Sequence, residues 1–69
     1  MKYTYTVEYR LDDIEDYDNT EYVDYIPTKK EARKIAKNII KENPNRVVLL
    51  DIKKYDAEYG YLEDAESLI

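Results

Sequence analysis

The chain has no cysteine, no histidine, no phenylalanine and no tryptophan, and only one glycine and one serine. Each absence excludes a class of chemistry. Without cysteine there is no disulfide and no thiolate nucleophile. Without histidine the commonest general base is missing, and with both gone so are the usual zinc ligand sets. The lone glycine, Gly60, cannot build a glycine-rich phosphate loop. The lone serine, Ser67, has no histidine to activate it. No apolar run approaches the roughly 20 residues needed to span a bilayer. Lys2 is followed at once by alternating polar residues, a pattern unlike a signal peptide. The expectation is a non-enzymatic, cofactor-free protein of the cytoplasm, with no membrane role. The lack of cysteine fits a reducing compartment.

What is present is tyrosine and charge. All nine aromatic residues are tyrosines. A tyrosine has an apolar ring and a polar tip, so it suits half-buried positions and interfaces. Sixty-nine residues make one small domain, residues 1–69, with a marginal core. The net charge of −5 is unevenly distributed. Met1 to Pro27 carries eight acids against Lys2 and Arg10. Thr28 to Arg46 carries seven bases against Glu31 and Glu42. Val47 to Ile69 carries six acids against Lys53 and Lys54. Asymmetry of this kind says more about partners than the total does. The overall acidity opposes broad binding to nucleic acid or to anionic membranes.

In chain order, Lys2 to Leu11 alternates strictly. Tyr3, Tyr5, Val7, Tyr9 and Leu11 share one face, which predicts a strand. Asp12 to Asn19 breaks the pattern with poor strand formers and reads as a loop. Thr20 to Ile26 resumes alternation as a second strand, with Tyr22, Asp24 and Ile26 on one face and Glu21, Val23 and Tyr25 on the other. Thr28 with Glu31 forms a capping box that opens a helix to Glu42. Its apolar stripe is Ala32, Ile35, Ala36, Ile39 and Ile40, opposite Lys30, Arg33, Lys34, Lys37 and Lys41. Pro44 disfavours helical geometry at Asn43 and ends it. Arg46 to Tyr55 reads as a strand whose apolar start predicts burial on both faces. Asp56 to Gly60 reads as a turn. Leu62, Ala65, Leu68 and Ile69 suit a short amphipathic helix, with a strand at Tyr59 to Leu62 as the competing reading. The expected fold is α+β: a two-layer β-β-α-β arrangement with a three-stranded sheet, one amphipathic helix on one face and a short C-terminal tail element.

The longest feature of one charge is Asp12 to Tyr25. It holds Asp12, Asp13, Glu15, Asp16, Asp18, Glu21 and Asp24, no basic residue, and Tyr17, Tyr22 and Tyr25. It lacks the glycine that a calcium-binding EF-hand loop needs at its sixth position. Paired carboxylates need a cleft between them to do acid–base work, and a small three-stranded domain has little material for one. Thirteen residues of chain reach about 45 Å at most, so the seven carboxylates follow one another at roughly 6 Å along the contour. A nucleic-acid strand presents a similar dense line of negative charge. Carboxylates on a scaffold occupy the sites where a DNA-binding protein holds phosphates, and tyrosines add anchor contacts. These ten residues are the expected partner-binding surface, with Asp56, Glu58, Glu63, Asp64 and Glu66 extending it if the tail folds nearby. The plainer alternative is a solvated acidic loop that aids solubility.

In size, acidity and lack of cysteine and histidine, the chain resembles the small early proteins with which lytic phages take over their host. Some of these are DNA mimics that block DNA-binding host proteins such as the nucleoid protein HU. The resemblance lies in composition and carries no residue roles. It implies a DNA-mimic inhibitor of a basic host protein, with no direct contact to nucleic acid. A second expectation is a small regulatory module that binds through a sheet edge and tyrosines. A third is a weak nucleic-acid binder using the lysine-rich helix face.

Overall fold

A computed structural model describes residues 2–12 and 20–69. Four strands and one helix follow in the order β1 (Tyr3–Leu11), β2 (Thr20–Ile26), α1 (Lys29–Glu42), β3 (Val47–Asp56) and β4 (Gly60–Ser67). They form an α+β fold whose sheet has the order β2-β1-β3-β4, each neighbouring pair antiparallel. The helix connects β2 to β3, which run parallel with β1 between them.

Alternation in β1 decides the core. Val7 pairs with Ile52 of β3 and with Val23 of β2, and Tyr9 with Leu50. Paired residues share a face, so these side chains meet the helix together. Val7, Ile26, Ala32, Ala36, Leu50 and Ile52 are buried. Tyr5, Tyr9, Val23, Ile35, Ile39 and Val47 pack around them. The alanines are the helix's contact points, because a methyl group lets its backbone approach the sheet closely. Ile40, expected in the apolar stripe, sits at its exposed margin.

The helix begins as its sequence requires. Thr28 Oγ1 accepts the Glu31 N–H at 3.1 Å. At the other end, the Asn43 side-chain amide and its backbone N–H both donate to the Ile39 carbonyl, at 3.0 and 3.1 Å. Asn45 then takes φ 63°, a left-handed angle that asparagine tolerates better than most residues.

Three expectations are corrected. The sheet has four strands, because the tail is a strand and not a helix. Opposite β3, the partners in β4 step from Glu66 to Asp64 and from Glu63 to Tyr61. Ala65 and Leu62 are each passed over as an extra residue, which is the mark of a β-bulge. Two bulges three residues apart give an extended chain a period of three, which imitates the spacing of an amphipathic helix. The second correction concerns β3. It is internal, yet the helix covers only one of its faces, and Val48 is 46% exposed. A register shift at Arg10/Leu11 passes over Val48. The third concerns the faces of β2, and it shapes the candidate site.

The β3–β4 hairpin turns at Ala57 to Tyr59. Asp56 Oδ1 accepts the backbone N–H groups of Glu58 at 2.7 Å and Tyr59 at 3.2 Å. Gly60 closes the turn at φ 83°, an angle that favours glycine.

Candidate acidic interface and the open sheet face

β2 is an outer strand, and it carries four of the ten expected interface residues. Glu21, Tyr22, Asp24 and Tyr25 are all exposed. Asp12 is exposed too, and its backbone N–H donates to the Arg46 carbonyl, which holds the end of β1 against the start of β3. Asp13, Glu15, Asp16, Tyr17 and Asp18 lie outside the described residues.

Strict alternation fails in β2 at one point. Tyr5 pairs with Ile26 and Val7 with Val23, so two residues, Asp24 and Tyr25, oppose Thr6 alone. This is a bulge, and Tyr25 sits in it at φ 61°. Ile26 therefore joins Val23 on the helix side, not Tyr22 and Asp24 as alternation predicts. Asp24 is turned over Thr6, whose hydroxyl donates to Asp24 Oδ1 at 2.9 Å. Thr6 is only 3% exposed although it lies on the face without a helix. Tyr25 is 84% exposed.

The uncovered face carries a cross-strand network centred on Lys53. Its ammonium lies 3.0 Å from Asp64 Oδ1 and 3.5 Å from Glu8 Oε1, and 5.1 Å from the Tyr61 ring centroid. The Tyr61 hydroxyl donates to Asp64 at 2.8 Å. Tyr55 meets Tyr61 edge to face, with ring centroids 5.8 Å apart. The Asp64 bond holds the Lys53 ammonium above its usual pKa, burial opposes it, and the Glu8 charge adds a smaller upward push. The Tyr61 hydroxyl and then Lys53 pull Asp64 below its usual value. The same bond raises Tyr61. Tyr22 is raised by hydrogen bonding to Glu8 and by its charge. Lys53 and its partners were invisible to pattern reading, because contact between them depends on the register of three strands. Only the shared polar face of Glu8 with Thr4, Thr6 and Arg10 was legible.

β4 lies at the opposite edge from β2, with β1 and β3 between. The tail therefore does not fold beside the acidic edge, and three of its carboxylates, Asp56, Asp64 and Glu66, are engaged elsewhere. Glu66 accepts Arg33 Nε at 2.6 Å and has Lys29 at 3.9 Å, and the Arg33 bond lowers its pKa. Asp56 caps the turn. Arg33 thus leaves the free lysine face that the sequence suggested. Lys34, Lys37 and Lys41 instead border a groove of about 540 Å³ whose apolar wall is Tyr9, Val23, Ile35 and Ile39.

Charge is thus sorted by location. Glu8, Asp64 and Glu66 face cations, whereas among the described residues no cation pairs with Glu21, Asp24, Glu58 or Glu63. No group of metal-ligating side chains occurs among the described residues, and no helix there is long and apolar enough to cross a membrane. Neither a protein family, nor a curated protein, nor a solved structure matches this chain.

Proposed function

We propose that this protein is a non-enzymatic inhibitor that docks its acidic β2 edge on the cationic surface of a DNA-binding host protein, in the place of DNA. One observation carries the reading. Glu21 and Asp24 stand exposed beside Tyr22 and Tyr25 with no described cation against them, while Glu8, Asp64 and Glu66 are neutralised within the fold. Uncompensated carboxylates beside exposed tyrosines suit a partner rich in lysine and arginine. The acidic sequence from Asp12 onward leads directly into that edge.

The test is capture of a partner from a nuclease-treated bacterial lysate, with excess duplex DNA added to half of it. The expected catch is a basic DNA-binding protein, HU or one like it, that the DNA displaces. Replacing Asp12, Asp13, Asp16 and Asp18 by lysine should abolish capture and leave the fold intact. A catch indifferent to DNA, or unchanged capture by that variant, overturns the proposal.

β2 also supports a second reading, because an outer strand offers unpaired backbone groups for strand addition. Salt separates the two. Charge-led docking weakens steeply as ionic strength rises, and strand addition does not. Direct titration with duplex DNA tests the lysine face, and no complex is expected even at low salt.

A further inference from the structure

The open face of the sheet holds a cleft of about 410 Å³ lined by Thr4, Thr6, Asp24, Tyr25, Tyr55 and Asp56. β1 contributes the two threonines, the β2 bulge contributes Asp24 and Tyr25, and β3 contributes Tyr55 and Asp56. Thr6, itself buried, fixes one oxygen of Asp24 at 2.9 Å. That single bond leaves most of the carboxylate's acceptor capacity unused. Asp56, by contrast, is buried and engaged by the turn. Tyr25 at φ 61° departs from strand alternation, and the bulge places it at this cleft with Asp24.

We propose that this cleft is an acceptor site for an arginine side chain of a basic partner protein. A guanidinium is planar, donates to a carboxylate and a hydroxyl together, and stacks on aromatic rings. Asp24, Thr4 and the two tyrosines present those complements. Two carboxylates repel an anion, and an apolar ligand would strip water from Asp24 without replacing its hydrogen bonds. A lysine ammonium is more strongly hydrated and has no plane to stack. The proposal rests on the reading of a basic partner and names the side chain that partner would insert.

A direct test titrates the isotope-labelled protein with N-acetyl-arginine-methylamide and with its citrulline counterpart, which has nearly the same shape and no charge. The backbone amides of Thr4, Thr6, Asp24, Tyr25 and Tyr55 should shift saturably with the arginine probe. The citrulline probe should bind at least about tenfold more weakly, as loss of a charge-assisted hydrogen bond implies. Asp24→Asn keeps the shape and an acceptor for Thr6, and should lose the arginine response to the same degree. Tyr25→Gly, which suits the bulge backbone, should weaken it by removing a ring. Equal response to citrulline, or a full arginine response in both variants, overturns the proposal. So do shifts confined to Glu58 and Glu63. The probe is a free side-chain analogue, so its failure leaves the DNA-displaced capture standing, and failure of that capture leaves the probe's response standing.

Discussion

Tyr25 holds a backbone angle that glycine adopts freely, and at 84% exposure its ring contributes little to packing. The left-handed region costs an ordinary residue roughly 1–2 kcal/mol. Glycine removes that strain but adds unfolded-state entropy worth about 0.4–1 kcal/mol. The relieved strain is the larger of the two, so Tyr25→Gly should leave stability to urea unchanged or raise it by up to about 1.5 kcal/mol. Tyr25→Val should lose about 1 kcal/mol or more, because a β-branched side chain fits this angle worst. Equal losses in both variants would show that the bulge does not form. Leu50 is the opposite case, since it is wholly buried beneath the helix. Leu50→Ala should cost about 2–5 kcal/mol, a large share of the roughly 5–15 kcal/mol that holds a domain folded. The expected result is a urea midpoint well below the parent's, at an unchanged slope. Leu50 was legible as a core residue because it stands in the apolar run opening β3. Tyr25 was not, because nothing in T-E-Y-V-D-Y-I marks where alternation gives way to a bulge.

Elements whose signals are local were read correctly. β1 has strict alternation, and the helix has a cap, an apolar stripe and a proline stop within its own residues. Thr28→Ala removes that cap and should cost about 1 kcal/mol in chemical unfolding. For the tail, apolar spacing points to a helix with a strand at Tyr59 to Leu62 as the competing reading, and the chain takes the strand over a longer span because its structure is set by what it pairs with. Beside its backbone ladder to β3, it is fastened by two ion pairs, Asp64 to Lys53 and Glu66 to Arg33, and these define a pH dependence. Both carboxylates titrate below their usual values in the folded chain. Their contribution is therefore fully present above the ordinary carboxylate range and fades as pH falls through the lowered folded values. Lys53 has a raised pKa, so its contribution is complete at neutral pH and is lost only in strong alkali. Unfolding measured between pH 7 and 2 should show the parent losing stability below about pH 4. The double variant Asp64→Asn, Glu66→Gln should be less stable at pH 7 and show a shallower acid limb. An identical acid limb would mean that neither pair forms in solution.

At the scale of the molecule, the fold separates charges that the sequence merely alternates. The helix exposes Lys30, Lys34, Lys37 and Lys41 above one face of the sheet. Glu21 and Asp24 lie on an outer strand, and Asp64 and Glu66, each paired with a cation, lie at the other edge. The sign of each block was plain in the composition, but its neutralisation was not, since Arg33 meets Glu66 across 33 positions of chain. This arrangement makes the docking reading directional. If a basic partner meets the β2 edge, the helix lysines add only a repulsive field. Changing Lys34, Lys37 and Lys41 to glutamate should then leave the affinity for that partner unchanged or raise it a few-fold, chiefly through faster association. Changing Asp12, Asp13, Asp16 and Asp18 to lysine should abolish binding. Surface interferometry on the captured partner at two salt concentrations would read both. If the lysine variants instead weaken binding, the helix and its groove touch the partner, and the acidic edge is a solvated surface.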